Sequence, residues 1–296
     1  MKRCLLFILC LCMASSIAAP AFAMDVLLGA KAGYYAWRPF YKDLGASGMD
    51  DIDYGTGMLA GPIVSLLLTP DLTFSLAGLA GRQSTHWQSK FSDFSAVQEV
   101  SGGYYFDALR VDIDSALSYR LSDNFKVFAG YKLLYLSTDY KYTEVRSTIP
   151  GMVPDEIDIQ DMRVVTPFHG PALGIGISLP LNDRVFFSAN TSVLYMVGAF
   201  DSKKNVRYQD EDSGAGLDGF IRVTDQMPKT RMEQFGLNVE PAIGFNPGDG
   251  LPIISLGLRF QWLRVHFTET EQEMPGPDDW MDDYLYGIFI SAVYVF

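Results

Sequence analysis

Histidines offer the side chains best suited to acid–base chemistry near neutral pH, and the chain has three, His86, His169 and His266. Ser84 precedes His86 by two residues, which brings a hydroxyl and an imidazole close together in sequence. On a β-strand such residues lie roughly 6–7 Å apart, too far for the hydrogen bond that joins a nucleophile to its base. We therefore predict no catalytic residues, no cofactor and no metal site.

Charged residues alternate with apolar ones along extended segments of the chain. Between residues 109 and 121 the odd-numbered positions are apolar with one exception. The even-numbered positions of this segment include Arg110, Asp112, Asp114, Ser118 and Arg120. The same alternation recurs at 125–135, 255–262 and 284–296. A period of two is typical of a strand with one apolar and one polar face, and it argues against a helix.

The alternation predicts ten strands in one domain, residues 24–296. These strands are 26–38, 55–68, 72–86, 105–121, 125–139, 164–180, 184–200, 231–247, 251–267 and 282–296. Four connections are short and rich in the turn formers Pro, Asn, Asp and Gly, at 69–71, 122–124, 181–183 and 246–250. Five connections are long and polar, at 39–54, 87–104, 140–163, 201–230 and 268–281. The two kinds alternate, so all turns fall at one end of the sheet.

This arrangement is typical of a transmembrane β-barrel, in which short periplasmic turns and long extracellular loops lie at opposite ends. The fold class that we predict is all-β, a single antiparallel transmembrane β-barrel with ten strands, and counts of eight or twelve stay open. The alternative is a soluble antiparallel barrel or sandwich. Two observations favour the membrane: the predicted strands have 13 to 17 residues, longer than the usual 5–6, and aromatic residues concentrate near strand ends, as in membrane girdles.

The first 23 residues have the features of a secretory signal peptide. A basic start, Lys2-Arg3, precedes an apolar stretch, and Ala21-Phe22-Ala23 gives the small-x-small pattern before the cleavage site. All three cysteines, Cys4, Cys10 and Cys12, lie in this segment. We therefore expect the exported domain to contain no thiol and no disulfide.

The polar strand faces predict a charged barrel interior. The residues that we place inside are Lys31, Arg110, Asp112, Asp114, Arg120, Lys126, Lys132, Glu240, Arg259 and Gln261. Six are basic and three are acidic, a local positive excess in a chain whose net charge is −12. Either these charges pair into a network that fills a narrow lumen, or they line a small pore that favours anions. The acidic chain as a whole argues against nucleic acid as a partner.

Four cationic residues are predicted to project outward near the loop ends of their strands: Arg82, His86, Arg264 and His266. The phosphates of lipopolysaccharide lie at this height in an outer membrane, and arginine and histidine pair with phosphate. We expect these residues to contact outer-membrane lipid and lipopolysaccharide, with a simple solvated rim as the alternative. Acidic residues cluster at 43–53 and 268–283. We interpret them as a solvated rim, with a Ca²⁺ site as the alternative.

The last ten residues, Gly287–Phe296, end in phenylalanine and carry apolar or aromatic residues at alternate positions. They resemble the final strand of Gram-negative outer-membrane proteins. In that group the barrel-assembly machinery recognises this end of the chain, so the resemblance implies that Tyr294 and Phe296 are an assembly signal. Together with the signal peptide it implies a location in the cell outer membrane.

Size, strand number and last strand also resemble the omptin proteases, which are ten-stranded outer-membrane enzymes. Omptins use an Asp-Asp pair and an Asp-x-His pair at the outer rim. The residues two positions before His86, His169 and His266 are Ser84, Pro167 and Arg264. None of them is aspartate, so the Asp-x-His pair is missing. We therefore predict a non-enzymatic protein, either structural or a narrow channel for small solutes. The alternative is surface binding through the long loops, and a lipid-modifying rim enzyme ranks below both.

Overall fold

The computed structural model describes residues 25–40, 54–93, 98–147, 156–210, 221–226, 229–248, 250–268 and 280–296. The predicted signal peptide, most of the first loop and the acidic stretch 269–279 lie outside these residues. The strands are β1 (Val26–Arg38), β2 (Gly55–Leu67), β3 (Leu72–Asp93), β4 (Gln98–Ser122), β5 (Phe125–Ser147), β6 (Glu156–Pro180), β7 (Val185–Asp210), β8 (Ile221–Gln226), β9 (Thr230–Phe245), β10 (Ile253–Phe267) and β11 (Met281–Val295). The described residues contain no helix long and apolar enough to cross a membrane.

Ten of these strands form a closed antiparallel barrel, which confirms the predicted fold class and strand number. Neighbours in sequence pair with each other, and β1 closes the ring against β11, from Leu27 opposite Val295 to Arg38 opposite Tyr284. The short strand β8 pairs with the outer end of β7, while β9 pairs with the rest of β7. Strands β8 and β9 thus lie end to end and occupy a single position in the ring.

The four predicted turns all lie at the end of the barrel that also holds Val26 and Phe296, and we call this end the turn side. Side chains organise the turns locally. The Asn182 Oδ1 atom accepts hydrogen bonds from the backbone N–H groups of Arg184 and Val185, at 2.9 and 2.8 Å. Gly248 has φ +114°, a left-handed conformation that glycine adopts without a steric penalty. The opposite end is the loop side.

The predicted loops 87–104, 140–163 and 201–230 are largely wrong, because the strands continue through much of them. Strand β5 extends to Ser147 and β6 begins at Glu156. The backbones of residues 146 and 156 still pair as neighbouring strands. Outside a bilayer neither face of a sheet must be apolar, so the alternation fades there although the backbone pairing persists. We call residues 139–147, 156–165 and 201–210 the loop-side wall.

Exposed apolar side chains surround the barrel on its outward face. They include Leu117, Tyr135, Leu173, Val193, Leu258 and Ile288, which come from six different strands. Soluble monomers rarely expose an apolar patch of more than a few hundred Å². In the loop-side wall the outward face becomes charged instead, and Arg207 pairs there with Asp161 at 2.9 Å. The apolar belt therefore faces lipid, and the wall faces water.

Replacing Leu258 by arginine tests the belt, because this side chain is 55% exposed near the middle of the outward face of β10. We expect Leu258→Arg to lower the free energy of unfolding by about 2–4 kcal/mol, since a charge at the midplane must leave water. Thr143→Arg, an exposed outward position in the loop-side wall, should change it by less than about 0.5 kcal/mol. Urea titration in phosphatidylcholine vesicles measures both, and equal losses would contradict the assignment.

Candidate functional site

A layer of paired charges crosses the barrel interior, centred on Asp112 of β4. The Asp112 carboxylate accepts hydrogen bonds from Arg110 Nε at 3.1 Å and from Arg259 Nη2 at 2.9 Å. Lys132 Nζ lies 3.5 Å from its Oδ2 atom. All four side chains are buried. Because β4 and β10 occupy opposite positions in the ring, the bond between Arg259 and Asp112 spans the lumen.

Further ion pairs connect to this centre. Lys31 of β1 donates a hydrogen bond to Glu240 of β9 at 2.7 Å, and Arg259 Nε lies 3.3 Å from the same carboxylate. Lys132 donates to Asp114 at 2.8 Å. Arg259 Nη2 also donates to Gln261 Oε1 at 2.8 Å. The ion layer is therefore one connected network, and its members are Lys31, Arg110, Asp112, Asp114, Lys132, Glu240, Arg259 and Gln261.

Apolar and aromatic side chains fill the lumen on the loop side of the ion layer. Phe40 follows β1, and its ring centroid lies 6.5 Å from that of Phe168 on β6, which occupies the opposite position in the ring. Phe200 lies 6.4 Å from Phe40 and 5.6 Å from Phe267. All four rings are buried. We call these four residues, with the buried Trp37 and Phe106, the aromatic layer.

On the turn side of the ion layer, the lumen is open. A cavity of about 270 Å³ is lined by Lys31, Lys126, Asn190, Asn238 and Glu240, among others. A wider space of about 450 Å³ shares Ser118, Lys126 and Asn190 with it and reaches the turn residues at the barrel mouth. Together they form a blind funnel that opens on the turn side, which we call the turn-side cavity.

Arg120 lines the outer part of the turn-side cavity at the barrel mouth, where it pairs with Asp71 at 3.3 Å and donates to the Pro70 carbonyl. One residue lies elsewhere than the sequence predicted. Asp283, which we placed in the acidic rim, is buried and accepts a hydrogen bond from Trp37 Nε1 at 2.9 Å. Side chains alternate between the two faces of a strand. Because Tyr284 faces outward, its neighbour Asp283 must face inward, which the sequence alone would have shown.

The predicted lipopolysaccharide contacts lie on the outward face beyond the belt, and most have partners within the chain. Arg82 pairs with Asp107. Arg264 Nε lies 3.5 Å from Asp282, and His266 stacks on Trp280 with ring centroids 4.8 Å apart. His86 is exposed on β3. At the turn side, the predicted assembly residues Tyr294 and Phe296 are both exposed, with ring centroids 6.2 Å apart.

No known protein-family model matches the chain, and no curated protein sequence matches it. Solved structures with a similar course of the chain include the outer membrane protease OmpT from Escherichia coli, with 12% identity, a TM-score of 0.39, and coverage of 92% of this chain and 96% of that one. A major outer membrane protein from Thermus thermophilus has 12% identity, a TM-score of 0.37 and coverage of 92% and 100%. The toluene transporter TodX from Pseudomonas putida has 10% identity, a TM-score of 0.32, and coverage of 94% of this chain and 91% of that one. Similarities this low carry no information about function.

Neutralising Asp112 tests the ion layer. We expect Asp112→Asn to lower the free energy of unfolding by about 3–5 kcal/mol, because it leaves three buried cations short of a counter-charge. Asp71→Asn, which removes an exposed partner of Arg120 at the mouth, should cost no more than about 1 kcal/mol. Denaturant titration in vesicles measures both values. A small loss for Asp112→Asn would mean that the layer contributes little to stability.

Proposed function

We propose that this chain is a non-enzymatic integral protein of a Gram-negative outer membrane and that its barrel is closed to passive diffusion. The observation that carries the proposal is the buried pair between Arg259 and Asp112, 2.9 Å apart and drawn from opposite strands. In large porins, strands on opposite sides of the barrel are separated by a water-filled lumen and do not contact each other through their side chains. The paired network is therefore favoured over the anion-selective pore, and the protein has a structural or binding role.

The aromatic layer supports the same conclusion independently. Phe40 and Phe168 also belong to opposite sides of the ring, and both are buried. A solute that passed the ion layer would still meet this second barrier. Because apolar rings cannot coordinate an ion as its hydration shell does, a contact of this kind opposes ion flow even more strongly than paired charges do.

The outer-membrane location rests on features of the chain itself. The apolar belt requires lipid, and a closed sheet satisfies the backbone groups that would otherwise be unpaired there. The exposed Tyr294 and Phe296 are accessible to the barrel-assembly machinery at the turn side. Arg82, His86, Arg264 and His266 lie at the border of the belt, where we propose that they contact lipopolysaccharide phosphates in addition to their partners within the chain.

The environments of the histidines support a non-enzymatic role. His169 hydrogen-bonds to the Tyr131 hydroxyl at 2.6 Å on the outward face, and His266 stacks on Trp280. Neither faces the interior cavity. His86 and Ser84 point outward from the same strand, and their spacing along it exceeds the reach of a hydrogen bond.

Surface binding is the second candidate, and the loop-side wall favours it. Strands β3 to β7 continue well beyond the belt on one half of the barrel, whereas β1, β2, β10 and β11 end near it. Paired strands give this projection a rigid backbone, and its outward face presents charges such as Lys141, Arg163 and Lys203 to water. A rigid, charged projection of this kind is suited to contact with another surface.

Planar-bilayer recording tests closure. We expect the refolded mature protein to give no discrete conductance steps, because both layers block the lumen. A fivefold variant, Arg110→Ser, Asp112→Ser, Arg259→Ser, Phe40→Ala and Phe168→Ala, removes the spanning contacts of both layers and should give small steps. It leaves Lys132 paired with Asp114 and Lys31 paired with Glu240. Heat-modifiable gel mobility confirms folding of each protein. Steps from the wild-type protein would overturn closure.

Shortening the wall tests the second candidate. Thr143 and Ile159 are paired in register, so a two-residue Asn-Gly turn can replace residues 144–158 as a hairpin connection. We expect the variant to fold with wild-type gel mobility, since the belt and the ion layer are untouched. Cells that display it should adhere less to immobilised extracellular-matrix protein than cells with equal amounts of the wild type. Equal adhesion would argue against a binding role for the wall.

A further inference from the structure

Lys126 differs from the other interior lysines and arginine because no anionic side chain of the described residues pairs with it. Lys31 pairs with Glu240 at 2.7 Å, and Lys132 pairs with Asp114 at 2.8 Å. Arg259 pairs with Asp112 at 2.9 Å. Lys126 projects into the turn-side cavity and lines both its inner and its outer part. It therefore adds a positive charge that the protein itself does not neutralise within the part of the chain that the structure describes.

The local structure holds Lys126 beside a neutral polar side chain. A Cβ atom at Gly176 would lie 2.4 Å from Lys126 Cε and 2.6 Å from Asn190 Oδ1. An alanine at position 176 would require the ends of these two side chains to shift. The lysine chain therefore lies against the β6 backbone with Asn190 of β7 next to it.

Neutral hydrogen-bonding groups are among the other residues that line the cavity. Ser118 and Asn190 belong to both parts of it, and Ser192 and Asn238 lie farther in. Hydroxyl and amide groups donate hydrogen bonds to oxygen acceptors without adding charge. The two carboxylates in the inner part, Asp114 and Glu240, are already paired with lysines. In the outer part, Asp71 pairs with Arg120 at 3.3 Å, and Asp123 is exposed in the turn between β4 and β5. An anion that reaches Lys126 would therefore meet a lysine that no carboxylate of the described residues neutralises, with neutral donors beside it.

We infer that the turn-side cavity binds a small oxyanion, a carboxylate or a phosphate, with Lys126 as its charged contact. The inner cavity of about 270 Å³ is close to the lower limit of ligand pockets, roughly 300 Å³, which suits a small molecule. If the ion layer closes the cavity at its inner end, as we propose, the ligand enters from the turn side, the periplasmic side of an outer-membrane barrel. The entry side rests on the proposed closure, whereas binding at Lys126 does not.

Isothermal titration calorimetry on the full mature barrel in an uncharged detergent tests the site. Inorganic phosphate and succinate are titrated separately in a chloride buffer, so that the two arms tell a phosphate site from a carboxylate site. We expect saturable binding of at least one of them. Lys126→Met, which keeps the length of the side chain but not its charge, should weaken that binding about tenfold or more, because it removes a charge-assisted hydrogen bond.

Two further variants serve as controls. Lys141→Met removes an exposed charge from the same strand in the loop-side wall and should leave binding unchanged. Lys126→Gln also removes the charge, should weaken binding as Lys126→Met does, and gives a second test if Lys126→Met does not fold. Heat-modifiable mobility verifies each variant. Absence of binding to the wild type, or equal binding by a folded Lys126→Met protein, would overturn the inference.

Discussion

The backbone pairing of the first strand with the last is the constraint on which the rest of the structure depends. Val26 N–H donates to Phe296 O at 3.3 Å, and Phe296 N–H donates to Val26 O at 2.9 Å. Without this seam, two strand edges would face lipid, where each unpaired N–H or C=O group costs several kcal/mol. With the seam closed, apolar side chains project outward around the whole ring, and polar side chains from ten strands meet in one narrow lumen.

Crowding inside the lumen explains the composition of the ion layer. Charges brought this close in a poorly hydrated interior must be paired, because a single unpaired one is strongly destabilising. The basic side chains of Arg110, Lys132 and Arg259 surround one carboxylate, Asp112. A buried pair need not add net stability over an apolar one. We interpret its main effect as specificity, since Arg259 reaches Asp112 only when opposite strands have the correct stagger.

The sequence predicts the fold well and the site incompletely, for physical reasons. Period-two alternation reports which side chains face lipid, so it locates the strands wherever lipid imposes it and misses their extension into the loop-side wall. The alternation of side chains also shows that a residue faces the interior. It shows neither the position of the residue along the barrel axis nor the side chain with which it pairs. Arg259 and Asp112 are 147 residues apart, and their contact depends on the tilt and stagger of the closed barrel. Arg120 shows the same limit, because alternation places it inside but does not predict its pairing with Asp71 at the barrel mouth.

In the closed barrel that we propose, the two layers separate a turn-side half of the lumen from a loop-side half, and no solute passes between them. Opening the lumen would first require separation of Arg259 from Asp112, although Asp112 would keep Arg110 and Lys132 as partners. The rings of Phe40 and Phe168 must also part, so an open state would lose the spanning contacts of both layers. Anything that binds beside Lys126 therefore acts on the periplasmic half, and anything that contacts the loop-side wall acts from outside.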